Sequence, residues 1–261
     1  MIYQFCAKTD TGRVRANNED SIAFDESNRI AVLADGMGGY NAGEIASGMA
    51  TSILTAELGE WLQNAKKSTP ASDIRHAIEV AVARANHAIF EEAQNNVSCA
   101  GMGTTLVVGV FQDSYLMLGH IGDSRCYRLR NGHIEQITKD HSLLQEQMDA
   151  GWITPAEAAL SSIKNLVTRA LGVEENALLE IHEFDIQPGD LYLMCSDGLS
   201  DMMSESAIGR IASLNMDIEQ RAMGLINAAN EMGGRDNISV LMIEVAEAPE
   251  KRSLIARWLR K

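Results

Sequence analysis

A chain of 261 residues with 46% hydrophobic residues is long enough to bury a large core and too apolar for disorder to be the default reading. Its 36 Asp and Glu against 22 Lys and Arg leave a formal charge of −14, which repels nucleic-acid backbones and argues against DNA or RNA as a partner. The acidic excess has two readings, a solubilising surface or carboxylates that converge on cations, and net charge does not choose between them.

In chain order, Met1-Ile-Tyr-Gln-Phe-Cys lacks a basic segment followed by an apolar run, so no signal peptide is read there. No apolar stretch is long enough to cross a bilayer, and a cytoplasmic protein is expected. Ser21–Asp25 and Arg29–Ala34 read as two short strands around an Asp-Glu-Ser-Asn turn. Helical patterning follows from about Gly43 to Trp61, and more clearly over Asp73–Ala93, where Ile74, Ile78, Ala81, Val82, Ala85 and Ile89 recur at helical spacing. Thr104–Phe111, Ser114–His120 and Ser124–Leu129 look like consecutive strands, and Arg130-Asn-Gly-His is a hairpin signal leading into Ile134–Ile137. Ser142–Leu160 is polar, with short helical segments. Strands are expected near Leu178–Phe184, Leu191–Cys195 and Ile238–Val245, with helices near Ser204–Leu214 and Asp217–Glu231.

Strands and helices arrive in blocks rather than in alternation, which favours an α+β layered domain with antiparallel sheets. No linker divides the chain, so one domain is expected over residues 1–248. Pro249–Lys261 changes character: Lys251, Arg252, Arg257, Arg260 and Lys261 surround Leu254, Ile255, Trp258 and Leu259, which share one helical face. This basic amphipathic tail reads either as a helix packed on its own domain or as a docking segment for an acidic partner or membrane surface. The four cysteines, Cys6, Cys99, Cys126 and Cys195, are far apart with no Cys-x-x-Cys pair, which suits reduced buried thiols rather than disulfides or zinc.

Three aspartates share one kind of position, directly after an apolar strand and before a tight turn. They are Asp35 before Gly36, Asp123 in Gly122-Asp-Ser-Arg, and Asp197 before Gly198; a fourth, Asp236, stands just ahead of the last strand. A single Asp-Gly is most simply a turn former. As a set on adjacent strand ends, four carboxylates would repel one another unless divalent cations with a preference for oxygen filled the space between them. Near the N-terminus, Arg15 precedes Glu19 and Asp20; this is either a surface ion-pair cluster or an anion grip, because a guanidinium matches phosphate with two parallel hydrogen bonds.

With these residues in view, the sequence resembles the type 2C, metal-dependent serine/threonine phosphatases, particularly the single-domain bacterial ones. The matching segments run in the family's order: Val14-Arg-Ala-Asn-Asn-Glu-Asp, Ala34-Asp-Gly-Met-Gly-Gly, Gly103-Thr-Thr, Gly122-Asp-Ser-Arg, Asp140-His-Ser, Ser196-Asp-Gly-Leu and Gly234-Arg-Asp-Asn-Ile-Ser. The resemblance implies a four-layer α-β-β-α sandwich with two central antiparallel sheets. It implies two Mn²⁺ or Mg²⁺ ions, with a possible third. Asp35 would bridge the first two, the Gly36 carbonyl would join the first, and Asp197 and Asp236 would hold the second. Asp123, with Asp197, would hold the third. Arg15 is similar to the arginine that grips the substrate phosphate, while Glu19 and Asp20 resemble groups that order metal-bound waters. Asp140, His141 and Asn237 are possible supporting residues, and about 142–168 corresponds to a mobile flap.

Met37 stands where some relatives carry a histidine proposed as general acid, so the leaving group would take its proton from a water or from another residue such as His141. The expected reaction is hydrolysis of phosphoserine and phosphothreonine by direct attack of a metal-bridging water, reversing a partner serine/threonine kinase. The expected protein is a monomer acting on phosphorylated proteins. The main alternative is a catalytically weak phosphoprotein-binding scaffold of the same fold. A nuclease-like two-metal hydrolase is disfavoured by the acidic surface and by the lack of a Walker lysine motif.

Overall fold

The structure is a computed structural model and describes residues 1–39, 42–66, 69–154, 157–158 and 166–248. The basic tail, 249–261, and the middle of the expected flap lie outside the described residues. The chain opens with β1 (Ile2–Asp10), β2 (Asp20–Asp25) and β3 (Ile30–Met37), followed by α1 (Ala42–Asn64) and α2 (Ala71–Asn95). Next come β4 (Gly103–Thr104), β5 (Leu106–Phe111), β6 (Tyr115–Ile121), β7 (Arg125–Arg130) and β8 (His133–Gln136). After them are α3 (Leu143–Asp149), β9 (Glu180–Asp185), β10 (Leu191–Cys195), α4 (Asp197–Ser200), α5 (Glu205–Ala212), α6 (Ile218–Glu231) and β11 (Ile238–Ala246).

Two antiparallel sheets result, one in the order β1-β11-β10-β7-β8 and the other β2-β3-β5-β6-β9, with β4 attached to β3. Strand alternation sorts their apolar side chains into three layers of core. In β3, Ile30, Val32 and Ala34 join Ile74, Ile78 and Ile89 of α2, whereas Ala31 and Leu33 turn to the opposite sheet. In β10, Tyr192 and Met194 enter that shared middle layer, while Leu191, Leu193 and Cys195 pack with Leu225 and Ile226 of α6. A two-residue period on strands covered on both faces gives this arrangement. The molecule is the expected helix–sheet–sheet–helix sandwich, with α1 and α2 on one side and α5 and α6 on the other.

The helices begin where their caps stand. Ser204 and Asp217 accept from the backbone N–H groups of Ala207 and Gln220, starting α5 and α6. All four cysteines are free and buried.

Two differences from the sequence reading matter. β1 is an additional strand, paired over nine residues with β11 from Ile2↔Ala246 to Asp10↔Ile238. The single strand expected over Thr104–Phe111 is divided at Thr105, whose backbone N–H donates to the Asp35 carbonyl at 2.9 Å while its Oγ1 accepts from the Asp35 N–H at 3.0 Å. That break ties the turn after β3 to the start of β5.

Candidate active site

β3, β6 and β10 all end at one pole of the sandwich, and β5 and β11 begin there; antiparallel pairing makes this unavoidable once β3 neighbours β5 and β10 neighbours β11. Asp35, Asp123, Asp197 and Asp236 therefore come together from both sheets. They line one cleft of about 200 Å³, with Arg15, Glu19 and Gly36. Met37, Thr105 and Val167 complete much of its wall. Residues as far apart as 15 and 236 in sequence share this small volume.

The crowding has an electrostatic signature. Asp35 is pushed well above the usual carboxylate range, first by burial and then by Asp20, Asp197, Asp123 and Asp236. Asp197 is raised likewise by burial and then by Asp123, Asp201 and Asp236. Asp123 is pushed up to about 6, by burial and by Asp140. Asp20 is pushed up to about 6 by burial, against hydrogen bonds from Ser239 and Ser196 that favour its ionised form. Glu19 is also raised by burial, opposed by Arg15. Without a compensating charge, these groups must hold protons to coexist.

Asp20 faces Asp35 across the β2–β3 ladder. Ser196 Oγ donates to its Oδ2 at 2.8 Å, but among the described residues its buried Oδ1 has no hydrogen-bond partner. Oxygen donors in such density, with one orphaned oxygen beside them, fit hard divalent cations such as Mn²⁺ or Mg²⁺. Arg15 is the one cationic residue among those lining the cleft; it is half exposed, and its Nη2 donates to Asp236 Oδ2 at 2.6 Å.

Backbone contacts set the geometry beneath the carboxylates. A Cβ on Gly36 would stand 2.1 Å from the Gly43 carbonyl oxygen, and one on Gly198 would stand 2.0 Å from that of Asn237. Only glycine lets the chain segments approach this closely. Asn237 works in the same layer: its Oδ1 accepts from the Glu19 N–H at 2.8 Å, and its Nδ2 donates to the carbonyls of Thr11 and Asn17 at 2.9 Å each. It fastens the N-terminal loop that carries Arg15 and Glu19 to the start of β11.

Asp140 and His141 sit behind Asp123, and neither is among the residues lining the cleft. Asp140 takes a bidentate ion pair from Arg125, with Nη2 at 2.6 Å. His141 Nδ1 accepts from the Gly122 N–H at 3.1 Å, so the ring proton sits on Nε2 and is given to Glu180 Oε2 at 3.2 Å. Its ring stacks on His120 at 4.7 Å and 12°. Both ring nitrogens are thus engaged in holding the Gly122–Asp123 turn. His120, His141 and Glu180 bring one ring nitrogen or carboxylate oxygen each within 4.8 Å of one another, but His120 Nε2 is bonded to the Lys139 carbonyl at 2.8 Å and both nitrogens of His141 are engaged by Gly122 and Glu180.

Sequence reasoning passed over Asp201 and quoted Thr105, within Gly103-Thr-Thr, without a role. The role of Thr105 is visible only in its bonds to Asp35 and to Ser124 Oγ at 2.8 Å. Asp201, which raises both Asp123 and Asp197, lies four residues after Asp197, a helical spacing that is legible in principle.

A profile of the protein phosphatase 2C family matches residues 11–226. The serine/threonine phosphatase Stp of Listeria innocua is 36% identical over 240 residues, covering 91% of this chain and 94% of its own. The serine/threonine protein phosphatase PstP of Mycobacterium tuberculosis is 39% identical over 248 residues, covering 95% of this chain and 46% of its own. The solved catalytic domain of PstP in complex with two manganese ions superposes with a TM-score of 0.83 at 37% identity, covering 94% of this chain and 99% of that one. The chain belongs to the protein phosphatase 2C family.

Proposed function

We propose that the cleft hydrolyses phosphoserine and phosphothreonine monoesters on proteins, by direct transfer of the phosphoryl group to water. The chain is a metal-dependent protein serine/threonine phosphatase, supported by its family and by relatives at 36% and 39% identity over most of its length. The observation that carries the reading is the meeting of Asp35, Asp123, Asp197 and Asp236 in one small cleft with an arginine at its edge.

Asp35, Asp197, Asp236 and the Gly36 carbonyl would hold two cations, Mn²⁺ or Mg²⁺, and Asp123 with Asp197 a third. Bound there, the cations supply charge neutralisation of the phosphoryl oxygens and a water acidic enough to attack at cellular pH. Arg15 offers the phosphate two parallel N–H donors and aligns the ester bond for in-line displacement. To do so it must turn from Asp236, which a cation then compensates. Glu19 in the cleft wall and the buried Asp20 carboxylate beneath Asp35 would order water held in the site. Met37 carries no proton, so the leaving alkoxide takes one from solvent held in the cleft rather than from that position. Residues 1–248 form the catalytic domain, a partner kinase inside the cell supplies the phosphorylated proteins, and the phosphatase works as a monomer.

The direct test is hydrolysis of a phosphothreonine peptide by the purified chain. Turnover that requires manganese, stops with EDTA and disappears in Asp197→Ala supports the enzyme. Phosphopeptide binding that is indifferent to metal and without turnover would establish the scaffold instead.

A further inference from the structure

A second depression lies away from the carboxylate cleft. It is a groove of about 710 Å³ on the outer helical face, between the second half of α1 and the first half of α2. Its apolar residues are Trp61, Ala77, Val80 and Ala81, and its acidic ones are Glu57, Glu60 and Asp73. Arg84 pairs with Glu57 at 3.2 Å, but among the described residues Glu60 and Asp73 make no ion pair. A groove with an aromatic residue and unpaired carboxylates suits a ligand that is apolar on one face and cationic on its flanks.

That description matches one part of this chain, the tail 249–261. Five of its residues are Lys or Arg against the single Glu250, so it carries a net charge of +4 while residues 1–248 carry −18. Leu254, Ile255, Trp258 and Leu259 are spaced to share one helical face, with Arg257 and Arg260 beside them.

The point of exit favours the match. β11 ends at Ala246 opposite Ile2. The neighbouring Met1 ammonium lies 3.7 Å from Asp113, which also pairs with Arg29 at the β2–β3 turn. The same turn abuts α1, since a Cβ on Gly59 would touch the side chains of Asp25 and Asn28. The chain therefore leaves the sandwich at the pole opposite the carboxylates, the pole toward which the groove-bearing half of α1 runs. At ~3.3–3.6 Å per extended residue, 247–253 spans roughly 23–25 Å before the apolar residues begin.

We propose that residues 254–260 dock into the α1–α2 groove of their own chain, with Trp258 and Leu254 against Trp61 and Val80, and Arg257 and Arg260 toward Glu60 and Asp73. A tether this short holds the tail at an effective concentration on the order of 1 mM, so a groove that bound the free peptide with a Kd of only about 0.1 mM would be occupied ~tenfold over the open state. The docked tail covers the groove's apolar surface and offsets part of the excess negative charge on that face.

Hydrogen–deuterium exchange on the full chain tests this. Amides of 254–259 should exchange about tenfold more slowly than the same peptide in isolation, and those lining the groove should be protected with them. Glu60→Arg alone and Arg257→Glu alone should each remove the protection, and the two together should restore it. Manganese-dependent turnover in each variant shows that the fold survives, since neither position belongs to the carboxylate cleft. Tail amides that exchange at the isolated-peptide rate would overturn the proposal. So would protection that appears only with anionic phospholipid vesicles, or that is unaffected by the charge exchange.

Discussion

Arg15 Nη2 and Asp236 Oδ2 lie 2.6 Å apart, although 221 positions separate them in the chain. The pair joins the cleft's guanidinium to one of the carboxylates that repel each other there, and it raises the affinity of Arg15 for its proton. Half exposed, the contact itself contributes little to stability. Under the proposed function its value is as a resting place, from which Arg15 would move to a phosphate once a cation compensated Asp236.

Arg15→Ala should therefore damage catalysis more than folding. Losing charge-assisted hydrogen bonds to a phosphate costs about 1.5–3 kcal/mol, or roughly a 10- to 100-fold fall in kcat/KM. Arg15→Lys should recover only part of it, because an ammonium cannot form the two parallel bonds. Steady-state kinetics with a phosphothreonine peptide and a thermal melt decide the matter. Full activity in the alanine variant would remove Arg15 from the phosphate site.

The raised carboxylates make cation binding a proton-release reaction. Asp35 and Asp197 lie well above the ordinary range and Asp123 is near 6, so an ion entering the cleft at lower pH must displace protons. A carboxylate whose folded pKa is raised favours the metal-free fold at low pH, and that contribution fades as pH rises through the raised value. Metal binding has the opposite sign. The rise in melting temperature produced by manganese should thus be small at pH 5 and grow towards pH 7.5. Comparing loaded and metal-free protein at each pH cancels groups outside the cleft, including His120 and His141, whose pKa values burial lowers. Asp123→Asn should flatten part of the pH dependence. A manganese effect of equal size at pH 5 and 7.5 would contradict the linkage.

The sequence made some of this site legible and hid the rest for identifiable reasons. Asp35, Asp123 and Asp197 could be grouped because each follows a strong apolar strand, and strand ends on adjacent ladders must meet. The α2 stripe from Ile74 to Ile89 was equally clear, since six apolar positions at helical spacing leave one face to bury. β1 was not, because its burial is uneven along its length and its pairing depends on β11, more than 200 residues away. Asp20 carried no sign in sequence that one of its oxygens would be buried without a partner. Asn237 was placed beside the site by its motif, but its three bonds to the N-terminal loop are purely tertiary.

Gly198 supplies a steric prediction. A methyl group there would meet the Asn237 carbonyl oxygen at 2.0 Å, and backbone cannot swing aside as a long side chain can. Gly198→Ala should push α4 away from the start of β11, separating Asp197 from Asp236. Overpacking of this kind costs about 1–3 kcal/mol in stability. Manganese affinity, measured by calorimetry, should fall more than the melting temperature suggests, because the displacement lies between two proposed ligands. Gly189→Ala is the contrasting case: it has positive φ but open space around it, so its cost should appear in stability alone. Equal metal affinity in both variants would show that the close approach at Gly198 does not set the cleft.

The ion pair behind the cleft leads to a different kind of failure. Arg125 and Asp140 are largely buried, and the two nitrogens of the guanidinium fork reach the same carboxylate, which also accepts from Gln136 at 2.9 Å. Asp140→Ala leaves Arg125 charged in a place that water reaches poorly, and breaking a buried pair from one side typically costs about 3–5 kcal/mol. Replacing both members, with Arg125→Met and Asp140→Leu, removes the stranded charge and should restore much of the stability. Activity should not follow. Without Asp140 paired beneath it, the segment reaching His141 loses its anchor, and His141 holds the Gly122 N–H that shapes the Asp123 turn. Chemical denaturation and turnover measured on the same samples should therefore separate, with the double variant stable yet slow. If stability and turnover recover together, the pair only fills and neutralises the interior, and Asp123 owes its position to the strands alone.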